Sequence, residues 1–128
     1  MTASVQFSGI QELETALRAL VLFKFSGAND ADIYVGSPVM AGAMNSMLAA
    51  IENYWMSSGN SKRAEAWRDL YVLSNAEHRT EAIKAYAARH PKWNSMNRDE
   101  KVSWLKVIAA PYALDGGDLG SLEAFTGE

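Results

Sequence analysis

A chain of 128 residues, 48% of them hydrophobic and 21% charged, carries enough apolar side chain to build the core of one domain spanning 1–128. It contains no cysteine, which excludes a disulfide framework, a zinc–thiolate centre and a thiol nucleophile. The net charge of −3 is unevenly spread: residues 1–61 carry two basic against five acidic side chains, 62–106 ten against six, and 107–128 four acidic and no basic ones.

Ser4, Val5, Gln6 and Phe7 alternate polar and apolar, which predicts a short half-buried strand over 4–7. Ser8 and Gln11 have the spacing of a capping box. They open a predicted helix over 9–25 that turns Ile10, Leu13, Leu17, Leu20 and Val21 inward and Gln11, Glu12, Glu14, Thr15 and Arg18 toward water. Ser26 and Gly27 end it, and its last turn, 20–25, is apolar all round and requires a cover. A turn-rich loop over 28–32 leads to Ile33, Tyr34 and Val35, whose β-branched and aromatic side chains predict a second short strand; paired with 4–7 it would form a small two-stranded β ribbon.

The dominant stretch follows. No charge occurs from Ile33 through Ile51, and Ser37-Pro38 is a helix start in which the hydroxyl accepts an orphan backbone N–H and proline occupies the first helical position. The predicted helix over 38–57 has Met40, Met44, Met47, Leu48, Ile51, Tyr54 and Trp55 on one stripe and small residues over the remainder. It is expected to be the buried central helix, or one half covered by its own protein and half by a partner. A membrane span is rejected, because Gly42, Asn45 and Ser46 lie inside the run and no cluster of Lys or Arg flanks it.

Three further helices are expected. The first, over 61–73, buries Ala64, Trp67, Leu70 and Tyr71; the second opens on a capping box of Ser74 and Glu77, ends before Pro91 and buries Ala76, Ile83, Tyr86 and Ala87. The third, over 98–110, is capped by Asn97 with Glu100 and buries Val102, Leu105, Ile108 and Ala109. Pro111 and Gly116-Gly117 then end regular structure, apart from a short last turn over 119–125. The fold class is therefore mainly α, a single-domain bundle of about five helices around a Met- and Ala-rich central helix, with the possible ribbon beside it. The stretch from Val5 to Leu20 resembles the start of small tailed-phage neck proteins, which run strand, glycine, amphipathic helix; the likeness covers those sixteen residues and implies no further assignment.

No reactive constellation stands out. His78 and Glu81 share a helix face but lack the second copy that paired-helix metal sites need, and His90 suits a helix C-terminus. Asn29, Asp30 and Asp32 lack the spacing and the bidentate glutamate of a calcium loop. The glycines of 116–120 follow no strand and carry no lysine, so they match neither nucleotide-binding template. No metal and no cofactor is expected. The absence of a signal-peptide pattern leads to an expected cytoplasmic location.

The leading expectation is a non-enzymatic interaction protein, an inhibitor, immunity-type protein or assembly adaptor, that acts on another protein or on itself as a homo-oligomer. Trp93, in the crossover over 91–96, is expected to be partly exposed and to anchor the partner surface with Lys92 and Arg89. The alternative is a ligand-binding protein or enzyme with a cavity beside helix 38–57, in which Gly36, Ser37 and Asn45 supply polar contacts and Met40, Met44 and Trp55 the walls. The third is a nucleic-acid binder using Arg63, Arg68, Lys92 and their neighbours in the basic middle segment.

Overall fold

The computed structural model describes residue 3 and residues 5–124. Among them the chain forms an all-α single domain of seven helices: α1 (Ile10–Lys24), α2 (Asp32–Val35), α3 (Pro38–Ser57), α4 (Ser61–Leu70), α5 (Thr80–Ala87), α6 (Arg98–Ala109) and α7 (Gly116–Glu123). Single 3₁₀ turns at Asn29–Ala31, Leu73–Asn75, Glu77–Arg79 and Trp93–Ser95 connect them.

No strand is found among the described residues, so the expected ribbon does not form. Ser4 lies outside those residues; Val5, Gln6 and Phe7 have no regular structure and are exposed. Ile33, Tyr34 and Val35 belong to α2, where Val35 is buried in the core and the Tyr34 ring rests 5.8 Å from that of Phe23. A two-stranded ribbon is marginal alone, and one helical turn buries Val35 while closing backbone hydrogen bonds locally.

The core is a single cluster to which every helix contributes, among them Leu17, Val35, Met44, Ile51, Trp67, Ile83, Trp93, Leu105, Ile108 and Leu122. α3 packs on α1 and α4, α5 on α6, and α6 on α7 and α3. Helix starts follow cap chemistry where the side chain can reach. Ser37 Oγ accepts from Met40 N–H at 3.1 Å, and Asn97 and Glu100 form a reciprocal box at 2.9 and 3.1 Å. Asn97→Ala removes the acceptor side of that box, and a loss of about 1 kcal/mol is expected by urea denaturation. Two predicted boxes fail. Ser8 does not cap α1, whose N-cap is Gly9; the Ser8 N–H donates to Glu12 instead. Residues 73–79 run as two 3₁₀ turns, so α5 starts only at Thr80 and the Ser74 box is absent. A box missed in the sequence is present: Asp115 and Asp118 exchange bonds at 2.7 and 3.1 Å and open α7. That helix is a full element where only a short turn was expected, and Phe125 of that turn lies outside the described residues.

α4 is shorter than predicted and ends at Leu70, which is 52% exposed rather than buried. Beyond it the backbone is clamped to the segment after α6: Leu73 N–H donates to Ala113 O at 3.0 Å, and Ala113 N–H to Tyr71 O at 2.7 Å. This isolated parallel bridge sets the rings of Tyr71 and Tyr112 5.5 Å apart.

The uneven charge along the sequence is resolved by pairing. Arg68 meets Glu52 at 3.0 Å, Arg89 meets Asp32 at 3.3 Å and Arg98 meets Glu123 at 3.0 Å, so three cations of the basic segment each take a carboxylate from an acidic flank. Each pair is exposed on at least one side, and surface pairs of this kind contribute about 0–1 kcal/mol. Their visible consequence is neutralisation rather than stability.

Candidate functional site

α3 is not the enclosed central helix. Its apolar stripe packs inward as expected, with Ala41, Met44 and Ile51 buried and Met40, Met47, Leu48 and Trp55 packed against the core. The opposite face, Val39, Gly42, Ala43, Ser46, Ala49, Ala50 and Asn53, is exposed along its whole length. Small side chains bury little apolar area, so they supply little force to draw a further element of the chain across them. Glu52 is the one charged residue of α3, and it sits on the flank, paired with Arg68. A face wetted over about four turns without a charge is unusual for a surface helix, whose outer positions are normally charged or strongly polar. Exposed Ile33 and Tyr34 lie before it in the chain, and Tyr54 and Met56 at its C-terminal end.

The expected Trp93 anchor is corrected. Trp93 is 1% exposed and stands in the core, with Lys101 Nζ 4.8 Å from the centre of its ring. The 3₁₀ turn at Trp93–Ser95 folds the crossover inward, because an indole is the largest apolar group that a short connection can bury. Arg89 is held by Asp32 and lies over the Tyr86 ring at 5.1 Å, while Lys92 is exposed. The three do not form a shared surface.

The six residues of the expected ligand cavity are also dispersed. Gly36 packs under Trp104, and an added Cβ would stand 2.8 Å from Trp104 Cη2, so this glycine permits close packing. Ser37 caps α3, Met44 is fully buried, and Trp55 donates its Nε1–H to Glu14 at 3.0 Å, which explains the burial of an acid expected in water. Met40 lines a cavity of about 290 Å³ with Lys24, and Asn45 lines a separate one of about 460 Å³ with Leu48 and Glu52. Positions 36 and 55 lie about 28 Å apart at the helical rise, too far for one small ligand.

Of the titratable groups, Lys24 is the least expected. It is 2% exposed, and its Nζ donates to the carbonyls of Val107 and Ala110 at 2.9 and 2.7 Å. A lysine of α1 thus satisfies the C-terminal carbonyls of α6, where a cation also suits the helix dipole. Burial pushes its pKa down to about 8. The signal in the sequence was a single ammonium within the apolar turn 20–25.

A second feature missed in the sequence is a groove of about 460 Å³ between α1, the 3₁₀ turns after α4, and Tyr112. Arg18 lies 4.8 Å over the Trp67 ring and Arg79 5.1 Å over the Phe25 ring, and Arg79 Nε–H donates to the Tyr112 hydroxyl at 3.3 Å. Tyr71 has a raised pKa, from burial first and then the neighbouring Tyr112, against the lowering influence of Arg18 and Arg79. Its phenol therefore keeps its proton at neutral pH and can donate a hydrogen bond.

Elsewhere, His78 is exposed on the rim of this groove and His90 Nδ1 accepts from Lys92 N–H at 3.1 Å. Among the described residues no group of three or more His, Cys, Asp or Glu side chains could hold a metal ion, and no helix is long and apolar enough to cross a membrane. Comparison with protein-family models, with curated proteins and with solved structures finds no match for this chain.

Proposed function

We propose that the protein is a non-enzymatic interaction protein that docks through the outer face of α3, with a second copy of this chain as its partner. The observation that supports this reading is the exposed, charge-free row of Gly42, Ser46 and Ala50, flanked by Val39 at 83% exposure, Ala43, Ala49 and Asn53. Among the described residues nothing lies within 4 Å of the Cβ that Gly42 lacks, while glycine in an exposed helix costs about 1 kcal/mol relative to alanine. Small residues at i, i+4 and i+8 line one ridge, over which a second helix can approach closely.

A second copy suits this face for an electrostatic reason. Each chain carries −3 overall, and a two-fold contact brings the same patch of both copies together. A patch without charge is self-complementary, whereas a charged one meets its own sign. The strip from Val39 to Asn53, about 21 Å long and roughly 10 Å wide, offers about 200 Å² per copy, below the roughly 800 Å² of a standard stable interface. Reversible association in the micromolar range or weaker is expected.

Sedimentation velocity over a concentration series tests the reading. The unaltered chain is expected to shift from monomer to dimer as concentration rises. Ser46→Glu, which places like charges at the two-fold contact, is expected to remain monomeric with an unchanged melting temperature. Gly42→Ala should melt higher, from helix propensity, and yet associate more weakly. A chain that remains monomeric to about millimolar concentration would overturn the proposal; so would a dimer indifferent to Ser46→Glu.

A further inference from the structure

The groove between α1, the turns after α4 and Tyr112 contains no residue of α3, so it is independent of the face proposed above. Its polar lining holds two arginines and two phenols, with Asn75 and His78 beside them. Arg18 and Arg79 come from segments sixty residues apart, and neither forms an ion pair among the described residues. Stacking on Trp67 and Phe25 holds the two guanidinium groups in place without a carboxylate. Arg79 spends only Nε on Tyr112, which leaves its two terminal nitrogens for an incoming acceptor. The Tyr112 oxygen accepts that bond, so its own O–H remains to be donated. Tyr71 is 6% exposed, lines the groove, and its hydroxyl has no hydrogen-bond partner among the described residues.

Among the described residues no acidic side chain lines this groove, although the chain as a whole is acidic. The remaining wall is apolar: Leu22 is 65% exposed and Leu70 52% exposed, both on the groove. The volume of about 460 Å³ falls within the range of small-molecule sites. Two arginines and two phenols on one groove supply the donors that a carboxylate or phosphate takes, and exposed leucines beside them suit an apolar body.

We infer that this groove is a binding site for a small organic anion, a carboxylate or phosphate carried on an apolar body, held by Arg18, Arg79, Tyr71 and Tyr112 with its body on Leu22 and Leu70. The oxyanion replaces the carboxylate partner that both arginines lack. The apolar part covers leucines that otherwise face water.

Amide-correlation NMR of the full chain, titrated with phenyl phosphate and with hexanoate, tests this inference. At least one of the two is expected to bind saturably, shifting the amides of Leu22, Tyr71 and Arg79, while inorganic phosphate and neutral phenol bind more weakly. Arg18→Gln and Arg79→Gln are each expected to weaken binding by about tenfold or more, the usual consequence of losing a charge-assisted bond. Arg18 is exposed and stands outside the core, so its variant keeps the test valid if Arg79→Gln fails to fold. Absence of saturable shifts from both anions at about 10 mM would overturn the inference. Shifts scattered over surface lysines, an affinity unchanged in Arg18→Gln, or equal affinity for inorganic phosphate would do the same. None of these outcomes bears on self-association, which Ser46→Glu reads separately.

Discussion

Lys24→Ala is expected to lower folding stability by about 2–3 kcal/mol at neutral pH, the cost of a cavity beneath α2 and α6 and two stranded carbonyls less the relief of a buried charge. The side chain is 2% exposed, and its ammonium is the donor to both Val107 O and Ala110 O. Lys24→Met separates the two causes. It retains most of the stem volume, and the relief of a buried charge offsets the loss of two bonded carbonyls, so its stability is expected to stay within about 1 kcal/mol of the parent. Urea denaturation of the three proteins measures both. A methionine variant that loses as much as the alanine one would mean that the two bonds outweigh both the cavity and the buried charge.

The same lysine makes stability depend on pH in a known direction. Its folded pKa of about 8 lies below the ordinary 10.5, so between those values the unfolded chain binds more protons than the folded one. Stability therefore rises with pH across that window, by up to about 3 kcal/mol, and the penalty is present in full below pH 8. Tyr71, whose pKa is raised, acts in the opposite sense above pH 10, which makes pH 7.5–9.5 the useful range. Lys24→Met is expected to lose this rise.

Trp93→Ala is the second large effect, with an expected loss of about 3–5 kcal/mol. The indole is 1% exposed, belongs to the central cluster and lies under Lys101 Nζ, so truncation opens a cavity that the short 3₁₀ turn cannot close. Met56→Ala and Tyr54→Ala, on exposed side chains of α3, are expected to change stability by no more than about 0.5 kcal/mol. Chemical denaturation of these variants ranks them directly. A loss below about 1 kcal/mol for Trp93→Ala would return the indole to the surface and revive its reading as a partner anchor.

Much of the helical framework was legible because the signals involved are local. Ser37-Pro38 and Asn97 with Glu100 start α3 and α6 where expected, since a side chain three residues away closes each cap. Ser8 and Ser74 have equal spacing but cap nothing, because the backbone beside them follows other demands: Glu12 takes the Ser8 N–H, and the Val72–Ala113 bridge constrains the chain before α5. Periodicity also identified most core positions, such as Leu17, Ile51, Ile83, Leu105 and Ile108.

What periodicity could not supply was the identity of the cover. The small-residue face of α3 reads the same whether a neighbour packs on it or water does, and only the placement of α1 and α4 on the inner side left it open. Trp93 in a crossover reads as exposed until the 3₁₀ turn carries it inward. Lys24 meets α6 across more than eighty residues, and Arg18 shares a groove with Arg79 through a fold that no local pattern encodes. The helix class, the caps of α3 and α6 and the inward stripes were written in the sequence, because those depend on contacts within a few residues. The tertiary structure alone decided which faces stayed open, which cations found carboxylates and which did not, because those depend on groups brought together from distant parts of the chain.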